Sequence, residues 1–221
     1  MFYFENLQGK RVLKSDYIKE VCAFFTTRDG FDKKVLNAKR VIRPEQTHST
    51  NVKVVSAVKN YPDTDSLILM NENDAVMLKF ADCTPLILYD NKNKIGAVAH
   101  AGWRGTAGKI GVKTVEKMVS LGSKMENISV LIGPAISLCC YEVGEDVKKQ
   151  LLSTVKNTEN LFDWNKVDLK GINARQLQEI GINKIDICPF CTVCNNDLFY
   201  SYRKENGTNN RHYAVLKLNF V

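Results

Sequence analysis

The sequence predicts an α+β fold in which mixed β-sheets are covered by helices. Short apolar runs rich in Val, Ile and Leu alternate with polar or turn residues, which is typical of strands. Segments with apolar residues at helical spacing are interspersed with those runs, which favours helices packed on sheets. The 221 residues contain no repeat, low-complexity tract or Pro/Gly/Ser-rich linker, so we expect one domain over residues 1–221.

The first half of the chain predicts four strands and one helix. The apolar runs that predict the strands are Val52–Val58, Ala75–Phe80, Pro85–Tyr89 and Ile95–His100. Gly105–Leu121 predicts a helix because Ile110, Val115 and Met118 fall on one face. Gly122 then stands where a helix would end.

The second half predicts two more helices and four more strands. Gly144–Val155 places Val147 and Leu151 at helical spacing. Asp168 can cap a further helix that ends at Gly181. The four predicted strands are Ile128–Ile132, Lys184–Cys188, Asp197–Arg203 and His212–Phe220.

The charge balance is basic, with a formal net charge of +7. Such a balance suits anionic partners, but the lysines are scattered and no aromatic-basic stripe accompanies them. We therefore expect a solvated basic surface and no nucleic-acid partner. No apolar run approaches the roughly 18 residues that span a bilayer, and the start does not resemble a signal peptide. The expected protein is soluble and cytoplasmic, without a membrane partner.

Seven cysteines without a secretion signal indicate reduced thiols rather than disulfides. Three of them form a Cys-x-x-Cys-x-x-Cys run at Cys188, Cys191 and Cys194. Such a run can hold an iron–sulfur cluster or structural zinc, but each needs a fourth ligand and no cysteine follows Cys194. Cys139 or Cys140 would supply it only if the tertiary structure happened to bring them close. We expect ordinary reduced thiols here.

Two of the three histidines stand beside predicted strand ends. His48 precedes a strand, His100 ends one, and Cys83 lies between two others. Because the ends of neighbouring strands can converge, these side chains could hold a zinc ion with a fourth position open for water or substrate. The intervals of 35 and 17 residues match no local zinc motif, so spacing alone favours ordinary polar and packing roles.

The segment AGWRGTAGKIG is similar to a glycine-rich phosphate loop that opens a helix. It matches neither G-x-x-x-x-G-K-[ST] nor G-x-G-x-x-G. Arg104 is a cation at the predicted helix start, so an anion site and a simple tight turn both fit. Asp82, beside Cys83, is a candidate acid or base, and equally a candidate structural hydrogen-bond acceptor.

Six segments together resemble the bacterial laccase-domain proteins. They are QTHSTNV, FADCTPLILYD, AVAHAGWRGTAGKI, IGPAISLCCYEVGEDV, NARQLQEIGI and CTVCNNDLFYSYRKENGTNNR. The resemblance runs from about Phe24 to the C-terminus, and the ADC…HAGWRG pair is highly specific. This family was first described as multicopper polyphenol oxidases and later as purine nucleoside phosphorylases with adenosine deaminase and methylthioadenosine phosphorylase activity. The resemblance implies an α/β/β/α sandwich with mixed sheets.

The resemblance also implies a site. The family's zinc ligands match His48, Cys83 and His100, which spacing alone left undecided. Three arginines in family motifs become candidate cations for phosphate and substrate: Arg28, Arg104 and Arg203. The implied reaction is zinc-dependent phosphorolysis of adenosine, inosine or methylthioadenosine, in which cations hold phosphate. Deamination of adenosine would use a water activated by zinc, with Asp82 carrying protons.

Three other functions compete with this one. Copper-dependent oxidation of phenols, which the family's older name suggests, needs many more histidines than this chain contains. A peptidoglycan-precursor editing hydrolase would use Cys83 as the nucleophile and His100 as the base. A zinc-stabilised nucleic-acid module is disfavoured by the scattered charge.

The chain departs from the family pattern at a few positions. TTRDGFDKK lacks the second Gly and the Ser of the family's T-R-x-G-G-x-S, and the segment from there to Q-x-H is shorter. Ser49 stands where the family has Gly, Lys204 where it has a second Arg, and Asn210 where it has the closing Gly. The implied metal ligands are intact, so these departures concern substrate positioning.

Overall fold

Two six-stranded sheets face each other in the computed structural model, which describes residues 1–219. The first sheet contains β1 (Phe2–Leu7), β2 (Lys10–Ser15), β3 (Cys22–Thr26), β4 (Arg40–Ile42), β7 (Asp74–Phe80) and β14 (His212–Lys217). The second contains β5 (Val52–Val54), β6 (Ser66–Leu69), β8 (Thr84–Asp90), β9 (Ile95–Ala101), β10 (Ile128–Ile132) and β13 (Lys184–Ile187). A separate short hairpin pairs β11 (Phe162–Asp163) with β12 (Lys166–Val167).

Both sheets are mixed, as predicted. Their spatial orders are β1-β2-β3-β14-β7-β4 and β13-β10-β8-β9-β6-β5. The pairs β4–β7, β5–β6 and β10–β13 are parallel, and the remaining pairs are antiparallel. Parallel strands end at the same edge of a sheet, so the loops that follow β10 and β13 leave side by side.

The main core lies between the two sheets. Phe25 and Leu78 of the first sheet are fully buried in one cluster with Ile87, Val98 and Leu131 of the second. Burying such side chains stabilises the fold by about 1.5–3 kcal/mol each. This shared cluster holds the sheets face to face.

Helices cover the outer face of the second sheet. The helices of this layer are α1 (Trp103–Ala107), α2 (Ile110–Ser120) and α4 (Leu169–Glu179). A fourth helix, α3 (Glu145–Leu152), packs against α4 through Leu151. Val115 of α2 and Leu177 of α4 pack with Leu86 and Val130 beneath them. On the outer face of the first sheet, a 3-10 turn over Lys33–Leu36 completes the layer. The predicted α+β class is confirmed.

The helix predicted over Gly105–Leu121 is divided into α1 and α2. Lys109 has a left-handed φ of 57° between them, so the chain changes direction there. A Cβ on Gly108 would lie only 2.4 Å from Thr50 Cγ2, so the glycine also allows a neighbouring loop to approach. Gly122 has a φ of 106° just after α2, as its predicted role at a helix end requires.

The strand predicted over Asp197–Arg203 is wrong. The chain turns there instead, because the N–H groups of Leu198 and Phe199 both donate to the Asn195 carbonyl at 3.0 Å. The final predicted strand is present as β14, and its predicted end at Phe220 lies outside the described residues.

Candidate metal centre

Strand ends at one edge of the second sheet bring His48, Cys83 and His100 together. Cys83 directly precedes β8 and His100 lies in β9, and antiparallel pairing aligns Pro85 with His100. His48 lies in the loop before β5, which pairs with β6, the neighbour of β9. The fold thus makes neighbours of three residues that are far apart in sequence.

The His48/Cys83/His100 trio offers three donor atoms within 4.8 Å of one another. Cys83 Sγ lies 3.8 Å from His48 Nε2, and the two imidazole centroids are 4.9 Å apart. His100 is buried, Cys83 is partly buried and His48 is exposed. The trio is therefore anchored on the protein side and accessible on the other.

Asp65 supports the trio from behind. Its Oδ1 lies 2.7 Å from His100 Nδ1, which leaves Nε2 of that ring for a metal. The same carboxylate accepts hydrogen bonds from the backbone N–H groups of Thr47, His48 and Ser49 at 3.1, 3.2 and 2.8 Å. One buried acid therefore orients one histidine and the loop that carries the other.

Two further residues fix the spacing of the trio. The Gln46 amide accepts from the Lys79 N–H and donates to the Lys79 carbonyl, each at 2.9 Å, so it ties the His48 loop to β7. A Cβ on Gly102 would lie 2.9 Å from His48 Cδ2 and 3.0 Å from Cys83 Sγ. A side chain at position 102 would therefore require His48 or Cys83 to shift, so the glycine allows the trio to pack this closely.

The electrostatics of the trio favour a thiolate beside an imidazolium. Burial raises the pKa of Cys83, but His100 and His48 outweigh burial and lower that pKa to about 6. Burial lowers the pKa of His100, whereas Cys83 and Asp65 raise it to about 9. A thiolate is the form of cysteine that binds metals and attacks electrophiles.

The donor set fits a transition metal. One thiolate and two imidazoles suit zinc, and the same set suits copper. Three protein donors leave one tetrahedral position for water or substrate, which is the pattern of a catalytic rather than a structural site. The Asp65–His100 pair supplies the outer hydrogen bond that metal-binding histidines usually make.

A cavity of about 440 Å³ opens beside the trio. Its size lies within the range of small-molecule sites. Three cations, two tyrosines and an acid are among the residues that line it: Lys79, Arg203, Arg211, Tyr141, Tyr202 and Asp82. The cavity therefore offers positive charge for an anion and aromatic surface for a flat ring.

Asp82 lines the cavity with both carboxylate oxygens engaged. Its Oδ1 accepts from the Thr192 hydroxyl at 2.6 Å, and its Oδ2 accepts from the Arg203 backbone N–H at 2.7 Å. Asp82 thus positions Arg203. Burial and the negative charge of Cys83 raise the pKa of Tyr141 to about 12, so its hydroxyl stays protonated and can donate.

The structure separates the three candidate arginines. Arg203 lines the cavity. Arg28 forms an ion pair with Glu205, and the Arg104 guanidinium lies 4.4 Å from the Trp103 ring centroid. Within residues 1–219, Arg28 and Arg104 are outside the cavity lining.

A second group of thiols lies close together and includes two of the three cysteines of the run. Four sulfur atoms lie within 4.8 Å of one another in what we call the four-cysteine cluster: Cys139, Cys140, Cys191 and Cys194. Cys188 lies apart from them in the core between the sheets. The tertiary structure brings Cys139 and Cys140 to Cys191 and Cys194 because the loops after β10 and β13 leave the same sheet edge, an approach that spacing gave no reason to expect.

Comparison with known proteins identifies the family. The sequence profile described as multi-copper polyphenol oxidoreductase laccase matches residues 26–219. The chain belongs to this laccase family. A purine nucleoside phosphorylase of Deinococcus radiodurans is 34% identical over 183 residues, which cover 80% of this chain and 69% of that protein. An adenosine deaminase from an unknown prokaryotic organism is 30% identical over 182 residues, covering 74% and 70%.

The laccase-family fold is also present in a solved structure. The crystal structure of the hypothetical protein YfiH of Bacillus licheniformis superposes with a TM-score of 0.89 and 26% identity. The match covers 98% of this chain and 99% of that one. No helix within residues 1–219 is long and apolar enough to cross a membrane.

Several residues of the site escaped sequence reasoning. Asp65 is one carboxylate among many before a short strand, Lys79 precedes the ADC segment, and Arg211 ends the last family segment without an assigned role. Ser49, a departure from the laccase-family pattern, donates its hydroxyl to Asp65 Oδ2 at 3.0 Å and so reinforces the loop of His48. Only the structure shows that these side chains face the trio or the cavity.

Proposed function

We propose that this chain is a purine nucleoside phosphorylase that holds zinc at the His48/Cys83/His100 trio. The observation that carries the proposal is the cavity itself, which combines the trio with the cations Lys79 and Arg203. The phosphorylase named among the relatives supports the same reaction class. Candidate substrates are inosine, adenosine and methylthioadenosine.

Different residues around the cavity have different roles in phosphorolysis. Lys79, Arg203 and Arg211 bind phosphate and orient it toward the ribose carbon that it attacks. The purine leaves with the electrons of the broken glycosidic bond, so a donor near it stabilises the departing base. The Tyr141 hydroxyl is protonated and can supply that hydrogen bond. The Arg203 guanidinium lies 5.7 Å from the centroid of the Tyr141 ring, so the phosphate cation and this donor are neighbours.

Zinc, when bound, supplies a Lewis acid at the open coordination position. Asp65 holds His100 in the tautomer that presents Nε2 to the trio's centre. Asp82 holds the backbone at Arg203 in place. These two carboxylates are therefore positioning residues for the trio and for the phosphate cation.

The test is the phosphate dependence of nucleoside cleavage. Purified protein is incubated with inosine with and without phosphate, and hypoxanthine and ribose 1-phosphate are measured. We expect the two products in equal amounts, with release that requires phosphate and is lost in Cys83→Ser. Release without phosphate, or no release from any of the three nucleosides, would contradict the proposal.

Deamination of adenosine is a second activity that the cavity could support. A relative named as an adenosine deaminase favours it, and Asp82 lines the cavity as a candidate proton carrier. Ammonia release from adenosine tests this, with Asp82→Asn as the variant. If ammonia release in that variant equals the wild-type rate, Asp82 has no part in deamination.

A cysteine-nucleophile hydrolase is the competing reaction class. The observation that favours it is the proximity of Cys83 and His100 in the trio, where the pKa of the thiol is lowered and that of the imidazole is raised. Release of alanine from a cell-wall precursor by metal-free protein would select it. Dependence of activity on metal would instead support the phosphorylase.

A further inference from the structure

The four-cysteine cluster lies on the second sheet's edge, outside the trio. Cys140 Sγ and Cys139 Sγ lie 3.5 and 3.7 Å from Cys194 Sγ, and all four sulfurs lie within 4.8 Å of one another. Cys191 is buried, Cys140 is partly buried, and Cys139 and Cys194 are exposed. The cluster is therefore anchored in the protein and open to metal from solvent.

The fold builds the cluster from two loops. Strands β10 and β13 run parallel with Ile132 opposite Ile187, so both chains leave at the same edge. They remain adjacent beyond the strands, because Ala135 and Cys191 form a further bridge and the Thr192 N–H donates to the Ala135 carbonyl at 3.1 Å. The convergence follows from the sheet topology and not from a chance contact of side chains.

The sulfur spacing fits one tetrahedral ion. Zinc bound by four thiolates at about 2.3 Å places the sulfurs about 3.8 Å apart. The separations of Cys194 Sγ from Cys140 Sγ and Cys139 Sγ, 3.5 and 3.7 Å, are close to that value. An iron–sulfur cluster distributes its cysteines over several irons and holds them farther apart, whereas a disulfide requires about 2.05 Å.

The surroundings suit a centre with net negative charge. The buried Lys170 ammonium donates to the Cys188 carbonyl at 2.6 Å, within electrostatic reach of the cluster. Four thiolates on one zinc ion carry a net charge of −2, which a buried cation partly balances.

We propose that the four-cysteine cluster binds one zinc ion as a structural site, separate from the trio. The ion joins the loop after β10 to the loop after β13. The first loop leads to Tyr141 and the second to Arg203, and both of these residues line the cavity. The site therefore fixes one wall of the cavity, and it stands independently of the reaction catalysed there.

The test is zinc coordination in protein that lacks the trio's thiolate. Cys83→Ser protein is purified in reductant, and its zinc content and zinc-edge X-ray absorption are measured. We expect about one zinc ion per chain with four sulfur neighbours at about 2.3 Å. Adding Cys139→Ser and Cys194→Ser, both at exposed positions, should remove that zinc and lower the Tm. Adding Cys22→Ser to Cys83→Ser instead, at a cysteine outside both groups, should leave the zinc bound.

Three results would overturn the proposal. One is zinc in Cys83→Ser with nitrogen or oxygen neighbours, and another is absence of zinc from that variant. The third is a disulfide among the four cysteines in protein kept reduced. Circular dichroism of each variant confirms that it is folded, so loss of zinc reports on ligands and not on collapse of the chain.

Discussion

At the scale of single residues, the site depends on charges that orient other groups. Asp65 is not itself among the described residues that line the cavity, yet it holds His100 and the backbone of His48, which both line it. Outer hydrogen bonds of this kind typically change metal affinity by about 10- to 100-fold. Substitution of Asp65 should therefore produce a measurable change in the metal affinity of the trio.

Asp65→Asn should weaken metal binding by about 10- to 100-fold, because the amide is a poorer partner for the His100 ring. Zinc affinity is measured by competition with a chelator. Asp63→Asn is the matched control, since Asp63 accepts hydrogen bonds in the same loop from Thr47 and Asn51. Equal loss of affinity in both variants would mean that the loop, and not the His100 contact, matters.

Arg203→Gln should raise the KM for phosphate by about 10-fold or more, since a charge-assisted hydrogen bond contributes about 1.5–3 kcal/mol. Arg104→Gln should leave the KM near the wild-type value, because its guanidinium stacks on Trp103 outside the cavity. Steady-state kinetics with varied phosphate separate the two. A larger rise in the KM for phosphate in Arg104→Gln than in Arg203→Gln would support the sequence-based expectation that Arg104 binds phosphate.

At the scale of elements, the connections between strands decide the chemistry. The loop from β9 into α1 passes the trio at Gly102, where the backbone has φ −67° and ψ 176°. Alanine adopts that backbone freely, so any effect of a side chain there comes from contact with His48 and Cys83. A substitution at Gly102 therefore reports on crowding of the trio and not on backbone strain.

Gly102→Ala should lower metal affinity at least about 10-fold, because the added Cβ forces His48 or Cys83 to move. Gly144→Ala is the control. Gly144 also precedes a helix with an extended backbone, φ −69° and ψ 158°, and a Cβ there would have no neighbour within 4 Å. Metal retention by Gly102→Ala as complete as by Gly144→Ala would show that the trio tolerates the side chain.

The sequence predicted elements where a long apolar pattern was decisive and failed where it was not. The segments that became β7 to β10 were predicted within a residue of their ends because their apolar runs are continuous. The strand β6 has only four residues and was not predicted. The segment Asp197–Arg203 was predicted as a strand because it has apolar residues, but the chain turns there around Asn195. The trio was named from the family motif, whereas Asp65 and the four-cysteine cluster depend on strand pairing that spacing does not encode.

At the scale of the whole molecule, the sheets enclose a histidine that does not belong to the trio. His212 on β14 is fully buried, with its ring centroid 6.4 Å from that of Phe80 and 5.5 Å from that of Phe199. Burial lowers the pKa of His212 to about 3. The folded protein therefore keeps this ring neutral.

Because of His212, the free energy of unfolding should decrease as the pH is lowered. Between pH 6.5, near the unfolded pKa, and about 3, the unfolded state binds one more proton at this residue than the folded state does. The free energy of unfolding should therefore decrease by up to about 1.4 kcal/mol per pH unit as pH falls through that window. Urea titrations of wild type and His212→Leu across it give the difference in slope. Parallel slopes would contradict the assignment.

The central claim is that nucleoside turnover depends on metal held by the trio. The most direct measurement is the zinc content and phosphate-dependent inosine cleavage of His48→Ala, compared with Thr50→Ala in the same loop. Loss of one of three ligands leaves too few to hold zinc, so His48→Ala should lose about one zinc ion per chain together with its turnover. Thr50→Ala should keep both. Turnover by His48→Ala at the wild-type rate, or full zinc content without turnover, would contradict the account.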